Sequence, residues 1–212
     1  FNLILLNIKR YHNDINLKFD LKLKDIYLEI EKFFSNDRVV FDVGAHIGDT
    51  RNLYNNIFKK AKIHSFEPNQ KLYKRLKESS VFLNNKNQNQ IFSHNLAFGN
   101  KSEVKKYYEY SNDVLSGFYK IQNEVAKTVG KPANLVSTQE IITNTGDSFC
   151  EINKIENIDF LKINVQGYEP EIIKGFNMML KHNKIKFILS EFDYSGRYEK
   201  KVKISDLENI LT

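Results

Sequence analysis

The feature that most restricts the fold is a series of short apolar runs that alternate with segments of helical periodicity. Residues 38–44 form such a run, Arg-Val-Val-Phe-Asp-Val-Gly, and residues 62–66 form the next. A continuous apolar run of this length is typical of a strand buried on both faces of a parallel sheet. Residues 49–60 and 70–84 follow these runs and have helical spacing. This order predicts right-handed crossovers in an open α/β sheet.

The same alternation continues towards the C-terminus. Further strands are predicted at residues 91–97, 158–164 and 185–192, and further helices at 21–34, 149–155, 170–182 and 204–211. Residues 103–110 and 135–142 have the pattern of paired β segments, and residues 111–132 between them are predicted to form an active-site loop. We therefore predict a Rossmann-like, open and mostly parallel sheet with helices on both faces.

The 212 residues are enough for one full domain. We expect residues 1–37 to form an N-terminal segment with a helix, residues 38–192 the main domain, and residues 193–212 a short C-terminal tail.

The net charge of +6, from 32 Lys and Arg against 26 Asp and Glu, raises the question of nucleic-acid binding. Only five of the 32 cations are arginines, and the lysines are scattered without interleaved aromatic residues. A nucleic-acid surface instead concentrates its cations on one face or stripe. We therefore expect no nucleic-acid partner.

Membrane, disulfide and metal functions are also disfavoured. No apolar run reaches the roughly 18–20 residues that a membrane span needs. Cys150 is the single cysteine, which excludes an internal disulfide and a multi-cysteine zinc site. No His, Asp and Glu cluster has the spacing of metal ligands, so no metal site is predicted. A lone cysteine is in keeping with a reducing compartment, and we expect a cytoplasmic protein.

The turn after the first strand has the character of a cofactor-binding loop. Residues 42–50 read Asp-Val-Gly-Ala-His-Ile-Gly-Asp-Thr. Gly44 and Gly48 allow the backbone to approach a ligand closely, and the next helix offers free N–H groups at its N-terminus. His46 replaces the second glycine of G-x-G-x-x-G, which disfavours a dinucleotide loop. Asp42 at the strand end suits the ammonium group of S-adenosylmethionine.

Glu67 provides a second cofactor signal, because it ends the second predicted strand 25 residues after Asp42. An acidic group there is placed to accept both ribose hydroxyls of an adenosine. Asn95 and Ala97, at the end of the third predicted strand, lie where the adenine is expected. Together these residues predict an adenosine-containing cofactor.

Several stretches resemble the FkbM family of class I S-adenosylmethionine-dependent methyltransferases. They are residues 39–50, Ser65-Phe-Glu-Pro-Asn69 and Asn95-Leu-Ala-Phe-Gly99. The most specific one is Ile158-Asp-Phe-Leu-Lys-Ile-Asn-Val-Gln-Gly-Tyr-Glu169, followed by Ile172-Ile-Lys-Gly175, and Asp147 matches an acidic position of the family.

This resemblance covers residues 39–192. It implies that the main domain binds S-adenosylmethionine and methylates a hydroxyl of a sugar, glycan or polyketide-like acceptor, with S-adenosylhomocysteine as product.

The motifs and the resemblance together define the expected site. The cofactor contacts are expected from Asp42, Gly44, Ala45, His46, Gly48, Thr50, Glu67, Pro68, Asn95 and Ala97. The catalytic residues are expected to be Lys162, Asn164 and Glu169, and the substrate contacts Ser116 and Glu191. The nearby tyrosines at positions 107, 108 and 110 are expected to pack a hairpin.

Asn164 departs from the family pattern, which has Asp at this position. An asparagine cannot act as a general base and is a weaker ligand for a hard cation. Glu169, Glu191 and Lys162 are the nearby substitutes, and otherwise catalysis rests on positioning alone. Two alternatives to an active methyltransferase follow. One is a cofactor-binding homologue with little turnover, and the other is a nucleotide-dependent oxidoreductase, which the His46 position disfavours.

The tail is the second departure, because the class I fold ends in an antiparallel hairpin. Residues 193–212 contain one helical segment and no strand pair, so we expect either that the hairpin is absent or that the chain is a truncated fragment. The strand at 185–192 is then a hydrophobic edge prone to aggregation. We predict that a second copy of the chain, in a homodimer, or the N-terminal segment covers this edge.

Overall fold

The computed structural model describes residues 3–9, 16–34, 37–83, 87–122, 133–193 and 196–211. The strands in these ranges are β1 (Leu3–Lys9), β2 (Arg38–Val43), β3 (Ala61–Phe66), β4 (Gln90–His94), β5 (Ala97–Phe98), β6 (Glu103–Tyr110), β7 (Leu135–Asn144), β8 (Ile158–Ile163) and β9 (Ile185–Asp193). The helices are α1 (Asn16–Glu31), α2 (Asp49–Ile57), α3 (Gln70–Ser80), α4 (Gly146–Ile152), α5 (Glu169–Lys174), α6 (Asn177–Lys181) and α7 (Ile204–Leu211). None of the helices in the described ranges combines the length and apolarity that crossing a membrane requires.

The main sheet has six strands in the order β1-β9-β8-β2-β3-β4, and every pair in it is parallel. Its central strands, β2 and β8, are mostly apolar because both faces are covered. Val40 and Phe160 pack in a core with side chains of α1 and α2. Phe41 and Leu161 face the other side, in a core that includes residues of α5 and α7. The predicted open, parallel α/β sheet is confirmed.

The edge of β9 is covered by the N-terminal strand β1, whose residues the sequence pattern left irregular. The two strands pair in parallel from Leu3 opposite Phe187 to Lys9 opposite Asp193. Residues 196–211 contain α7 and a single bridge residue, Tyr198, and no strand there pairs with β9. The prediction that the N-terminal segment covers this edge is confirmed, so β9 does not need a second copy for this purpose.

A second, smaller sheet in the order β5-β7-β6 stands beside the carboxyl ends of the main strands. The predicted strand 91–97 is divided between the two sheets, since β4 ends at His94 and Ala97 belongs to β5. Residues 111–122 return over β6, where Tyr108 pairs with Gly117, and they include a one-turn 3-10 helix at Asp113–Leu115. The remainder of the predicted loop, residues 123–132, lies outside the described residues.

The predicted helix 170–182 is two helices, α5 and α6, separated at Gly175. A Cβ at Gly175 would lie 2.1 Å from the carbonyl oxygen of Gly99, so the two backbones are in direct contact. The carboxylate of Asp147 accepts hydrogen bonds from the backbone N–H groups of Met178 and Met179, at 2.8 and 3.0 Å, in the first turn of α6. Tertiary contacts therefore decide where this helix breaks.

Two other helices are shifted from their predicted positions. α1 runs from Asn16 to Glu31 instead of 21–34, and α4 begins at Gly146 instead of 149. The earlier start of α4 follows from its N-cap, because the Thr145 hydroxyl accepts a hydrogen bond from the backbone N–H of Ser148 at 3.1 Å.

We expect Gly175→Ala to destabilise the protein through this backbone contact. Because a carbonyl cannot rotate away as a side chain can, the free energy of unfolding should fall by about 1–3 kcal/mol. Gly117→Ala is the matched control, since its Cβ would meet only ordinary contacts from 3.5 Å outwards. Thermal unfolding followed by circular dichroism measures both, and equal melting temperatures for the two variants would contradict the close packing at Gly175.

Candidate functional site

A cavity of about 310 Å³ lies at the carboxyl ends of the central strands, where an open α/β sheet binds its ligands. The turns after β2, β3 and β8 and the last part of β9 form its floor, and the second sheet and the return loop of residues 111–122 form its roof. The lining residues are Gly44, Ala45, His46, Asp49, Thr50, Glu67, Pro68, Leu72, Tyr107, Asp113, Val114, Leu115, Ser116, Gly117, Phe118, Lys162, Asn164, Val165, Gln166 and Glu191.

The turn after β2 is packed directly against the turn after β8. Gly44 has a φ of +76°, and a Cβ there would lie 1.9 Å from the carbonyl oxygen of Asn164. The backbone N–H of Asn164 in turn donates to the carbonyl of Val43 at 3.0 Å. Only glycine combines this φ with this approach, so Gly44 fixes the distance between the two halves of the cavity floor.

A buried ion pair lies beneath this turn. Asp42 and Lys162 are register partners on β2 and β8, and Lys162 Nζ lies 2.9 Å from Asp42 Oδ1 and 3.3 Å from the Gly44 carbonyl. Burial lowers the pKa of Lys162, but the carboxylates of Asp42 and Glu191 outweigh burial and the net pKa is raised. The lysine is therefore charged. In the described part of the chain, Asp42 Oδ2 is buried without a hydrogen-bond donor.

Glu67 presents a buried carboxylate to the cavity. It accepts hydrogen bonds from the backbone N–H groups of His46 at 3.0 Å and Asn69 at 2.9 Å, which fix its orientation. Burial raises its pKa to about 7. Asn95 does not touch the cavity but supports this turn, since its amide donates to the carbonyls of Glu67 and Pro68, both at 2.9 Å.

The roof is attached to the floor at two places. His46 Nε2 lies 3.1 Å from Asp113 Oδ1 in the 3-10 helix. The hydroxyl of Tyr198, from the C-terminal segment, lies 3.2 Å from the Leu115 carbonyl and 2.8 Å from Gln166 Oε1. These contacts hold the return loop over the turn after β8.

Asn164 and Gln166 form a hydrogen-bonded pair in the turn after β8. Gln166 Nε2 donates to Asn164 Oδ1 at 2.9 Å, while Gln166 Oε1 accepts from Tyr198. Ser116 lines the same region and uses its hydroxyl to accept from the backbone N–H of Tyr110 at 3.1 Å. Its side chain thereby supports the return loop.

Glu169 is fully enclosed beneath the cavity and does not line it. Its carboxylate accepts the backbone N–H of Val165 at 2.9 Å, and burial raises its pKa to about 7. The residue therefore holds the turn that carries Asn164 and does not face the space where a ligand can lie.

The structure brings ten of the predicted site residues together around the cavity. They are Gly44, Ala45, His46, Thr50, Glu67, Pro68, Ser116, Lys162, Asn164 and Glu191. The other five do not line it: Asp42, Gly48, Ala97 and Glu169 are buried behind this surface, and Asn95 is exposed outside it.

Sequence reasoning missed Tyr107, Gln166 and Tyr198. Tyr107 was expected to pack a hairpin, with stacking on an acceptor ring as the less favoured alternative, and it lines the cavity with its ring edge-to-face against Phe118. The alternating pattern of β6 predicts which face of the strand carries Tyr107. It does not predict that this face lines a cavity. Nothing near Tyr198 in sequence signals its contact with Gln166, because that contact joins distant parts of the chain.

The chemistry of the lining fits a ligand that carries a diol and a positive charge. Glu67 offers an oriented carboxylate to a pair of hydroxyls, and Asp49, Asp113 and Glu191 add acidic groups against the one lysine, Lys162. Asp49 and Thr50, in the first turn of α2, add backbone N–H groups that suit a carboxylate. Among the described residues, no group of three His, Cys, Asp or Glu side chains is placed to hold a metal ion.

The match to a protein family agrees with this chemistry. The sequence model of the Methyltransferase FkbM domain matches residues 42–212. Among solved structures, the chain is similar to the precorrin-6y C5,15-methyltransferase from Geobacter metallireducens GS-15, with 11% identity and a TM-score of 0.44 over 89% of this chain and 70% of that chain. No curated protein matches the chain.

We expect Lys162→Met to destabilise the fold, because it leaves the Asp42 carboxylate buried without its counter-charge. The free energy of unfolding should fall by about 3–5 kcal/mol. The double variant Asp42→Asn/Lys162→Met removes both charges and should lose much less. Urea unfolding measures both variants, and an equal loss in the two would show that the ion pair is not what the single variant breaks.

We expect Glu169→Gln to flatten the pH dependence of stability. The pKa of Glu169 is raised from 4.5 to about 7, so the folded state holds this proton more tightly than the unfolded state. That stabilisation is complete below the unfolded pKa and is lost as the pH rises through about 7. The neutral glutamine avoids the loss, and the relative gain above pH 7 should be on the order of 3 kcal/mol.

Glu171→Gln is the control of opposite sign. Burial raises the pKa of Glu171, but hydrogen bonds from Lys174 and Lys200 outweigh burial and the net pKa is lowered. The ionised Glu171 carboxylate stabilises the folded state at neutral pH, and this contribution is lost in acid. The free energy of unfolding of Glu171→Gln should therefore be lower than that of wild type at neutral pH. Urea unfolding at pH values below and above about 7 measures the stability of both variants and of wild type. Parallel profiles of stability against pH for wild type and Glu169→Gln would refute the prediction.

Proposed function

The chain belongs to the FkbM methyltransferase family, and from this premise we propose that it transfers the methyl group of S-adenosylmethionine to a hydroxyl of a sugar, glycan or polyketide-like molecule. S-adenosylhomocysteine is then the second product. The observation that carries the proposal is Glu67, a buried carboxylate oriented by two backbone N–H groups at the cavity wall. An oriented carboxylate at the end of the second strand is suited to a ribose diol.

The remaining cofactor contacts follow from the same surface. The backbone of Gly44 and Ala45 and the first turn of α2 would receive the amino acid end of the cofactor, whose carboxylate suits free N–H groups. The acidic side chains of the lining favour binding of S-adenosylmethionine, whose sulfonium is positively charged, over S-adenosylhomocysteine, whose thioether is neutral. Pro68 and Leu72 supply apolar surface next to Glu67, where the base attached to the ribose would lie.

When bound, S-adenosylmethionine supplies an electrophilic methyl group on a good leaving group. The protein's part is then to exclude water, align the acceptor oxygen and take its proton. Leu115 and Phe118 in the roof provide the apolar cover. Asn164, just after β8, and Glu191, in β9, line the cavity and are the groups proposed to meet the acceptor.

We expect the protein to bind S-adenosylhomocysteine and Glu67→Gln to weaken that binding. Loss of hydrogen bonds to a charged acceptor should raise the Kd about 10- to 100-fold. Because the pKa of Glu67 is about 7, wild-type affinity should rise with pH through this value while the variant stays flat. Isothermal titration calorimetry measures the Kd of each.

Glu140→Gln is the matched control, because Glu140 is an exposed carboxylate on β7 outside the cavity. Its Kd should equal that of wild type. Absence of heat with S-adenosylhomocysteine, or heat with NAD instead, would overturn the proposed cofactor and favour a nucleotide-dependent oxidoreductase.

A cofactor-binding homologue with little turnover is the second candidate, and the amide at position 164 is what favours it. Methyl-labelled S-adenosylmethionine incubated with a panel of sugars, glycans and polyketide-like alcohols separates the two. Label transferred by the wild type supports the enzyme. Cofactor binding without transfer by the wild type, together with transfer after Asn164→Asp, would favour the low-turnover homologue.

A further inference from the structure

We infer that the hydroxyl of Tyr107, on β6 of the second sheet, binds the nucleoside part of the cofactor beside the diol that Glu67 receives. The contact between Asn69 and Glu109 positions Tyr107 for this role. The inference rests on the proposed function and adds a cofactor contact from an element that is not part of the main sheet.

The hydroxyl of Tyr107 is the group that points to a ligand. Tyr107 is 5% exposed and lines the cavity. A buried tyrosine hydroxyl ordinarily has a hydrogen-bond partner. Within the described part of the chain this hydroxyl makes no hydrogen bond, and it is not sealed from solvent. It therefore opens onto the cavity as an unused donor and acceptor.

The ring of Tyr107 is held in place before any ligand arrives. It packs edge-to-face against Phe118, with ring centroids 5.5 Å apart and an interplanar angle of 85°. A side chain that is already ordered loses little conformational entropy when a ligand binds, which favours affinity.

Strand β6 is attached to the turn that carries Glu67. The Glu109 carboxylate accepts a hydrogen bond from Asn69 Nδ2 and another from the hydroxyl of Ser137, its register partner on β7. Asn69 Oδ1 caps α3 by accepting from two backbone N–H groups of its first turn, at 2.9 and 3.3 Å. The backbone N–H of Asn69 donates to Glu67 Oε1 at 2.9 Å. Asn69 thus joins the second sheet to the carboxylate proposed to bind the ribose.

This attachment uses an ionised carboxylate. Burial raises the pKa of Glu109, but hydrogen bonds from Ser137, Asn69 and Gln139 outweigh burial and the net pKa is lowered. A hydrogen bond to an ionised acceptor is stronger than one between neutral groups. The contact between Asn69 and Glu109 is therefore suited to fix β6 over the turn.

The attachment places Tyr107 on the nucleoside side of the cavity. Tyr107 lies two residues before Glu109 in β6, so both side chains are on the same face, about 7 Å apart along the strand. Burial raises the pKa of Tyr107, and among the charged groups around it the Glu67 carboxylate contributes most to a further rise. Both observations put the hydroxyl near Glu67.

The acceptor side lies further across the floor. In the main sheet β2 separates β3, which leads into Glu67, from β8, which leads into Asn164. Two strand spacings are about 10 Å. A hydroxyl near Glu67 is therefore closer to the ribose and its base than to the groups proposed to meet the acceptor.

Tyr107→Phe tests the contact, because it removes the hydroxyl and keeps the ring. The melting temperature without ligand should stay that of wild type, since the described residues give this hydroxyl no partner to lose. The Kd for S-adenosylhomocysteine, measured by isothermal titration calorimetry, should rise about 3- to 10-fold through the loss of one neutral hydrogen bond.

Tyr108→Phe is the matched control. Tyr108 is the next residue of β6, faces the other side of the strand and does not line the cavity. Its Kd for S-adenosylhomocysteine should equal that of wild type. A lower melting temperature in Tyr107→Phe, or the same rise in Kd in both variants, would overturn the assignment.

Adenosine locates the contact on the cofactor, because it contains the base and the ribose without the amino acid end. Its Kd, measured by competition with S-adenosylhomocysteine, should rise in Tyr107→Phe by the same factor. An adenosine Kd that does not change, or adenosine that does not compete in wild type, overturns the nucleoside assignment.

The remaining outcomes separate this inference from the proposed function. If Tyr107→Phe binds S-adenosylhomocysteine as wild type does, the inference is wrong and the proposed function stands. A raised KM for an acceptor from the panel would then assign the hydroxyl to the acceptor. If wild type does not bind S-adenosylhomocysteine, the proposed function fails, and the inference fails with it.

Asn69→Ser tests the positioning role of the contact with Glu109. A serine hydroxyl can still cap α3 but offers no amide to Glu109, which keeps its hydrogen bonds from Ser137 and Gln139. Because Tyr107 is then no longer held beside the nucleoside, adding Tyr107→Phe to Asn69→Ser should change the Kd less than about twofold. The full 3- to 10-fold change in this background, about equal to that in wild type, would overturn the positioning role and leave the Tyr107 contact standing.

Discussion

The ion pair between Asp42 and Lys162 is the interaction on which the rest of the site depends. It joins the two central strands of the main sheet at one register position, 2.9 Å apart and almost completely buried. Desolvating two charges is costly, and their attraction offsets this cost only when the geometry is good and further hydrogen bonds are made. The contact of Lys162 with the Gly44 carbonyl supplies one of these bonds. The pair thus joins the glycine turn after β2 to β8, the strand that leads into Asn164.

The second sheet and the C-terminal segment cover one side of this sheet edge and make it a cleft. Contacts between distant parts of the chain close it: His46 with Asp113, and Tyr198 with both Gln166 and the Leu115 carbonyl. Through Gln166, the Tyr198 contact also reaches the side chain of Asn164. Leu115 and Phe118 in the roof shield part of the cavity from water, which strengthens the electrostatic interactions there.

The alternation of strands and helices along the main domain was predictable, because buried parallel strands and amphipathic helices have distinct periodicities in the sequence. Local signals were less reliable where long-range contacts compete with them. The helix predicted over 170–182 is broken at Gly175 because the Gly99 carbonyl approaches it, and residues 3–9 form a strand because β9 offers an open edge. Tyr107 has the same alternation whether its face packs a hairpin or lines a cavity.

The sequence by itself determined the parallel α/β architecture, the glycine turn after β2 and the acidic residue after β3, since each depends on residues close together in the chain. It also determined that position 164 carries an amide and not a carboxylate. Only the tertiary structure decided that Glu169 supports a turn while Glu191 lines the cavity. It also decided that Asp42 pairs with Lys162 and does not line the cavity. Burial, register and pairing between distant strands set these roles, and none of the three is a property of a local segment.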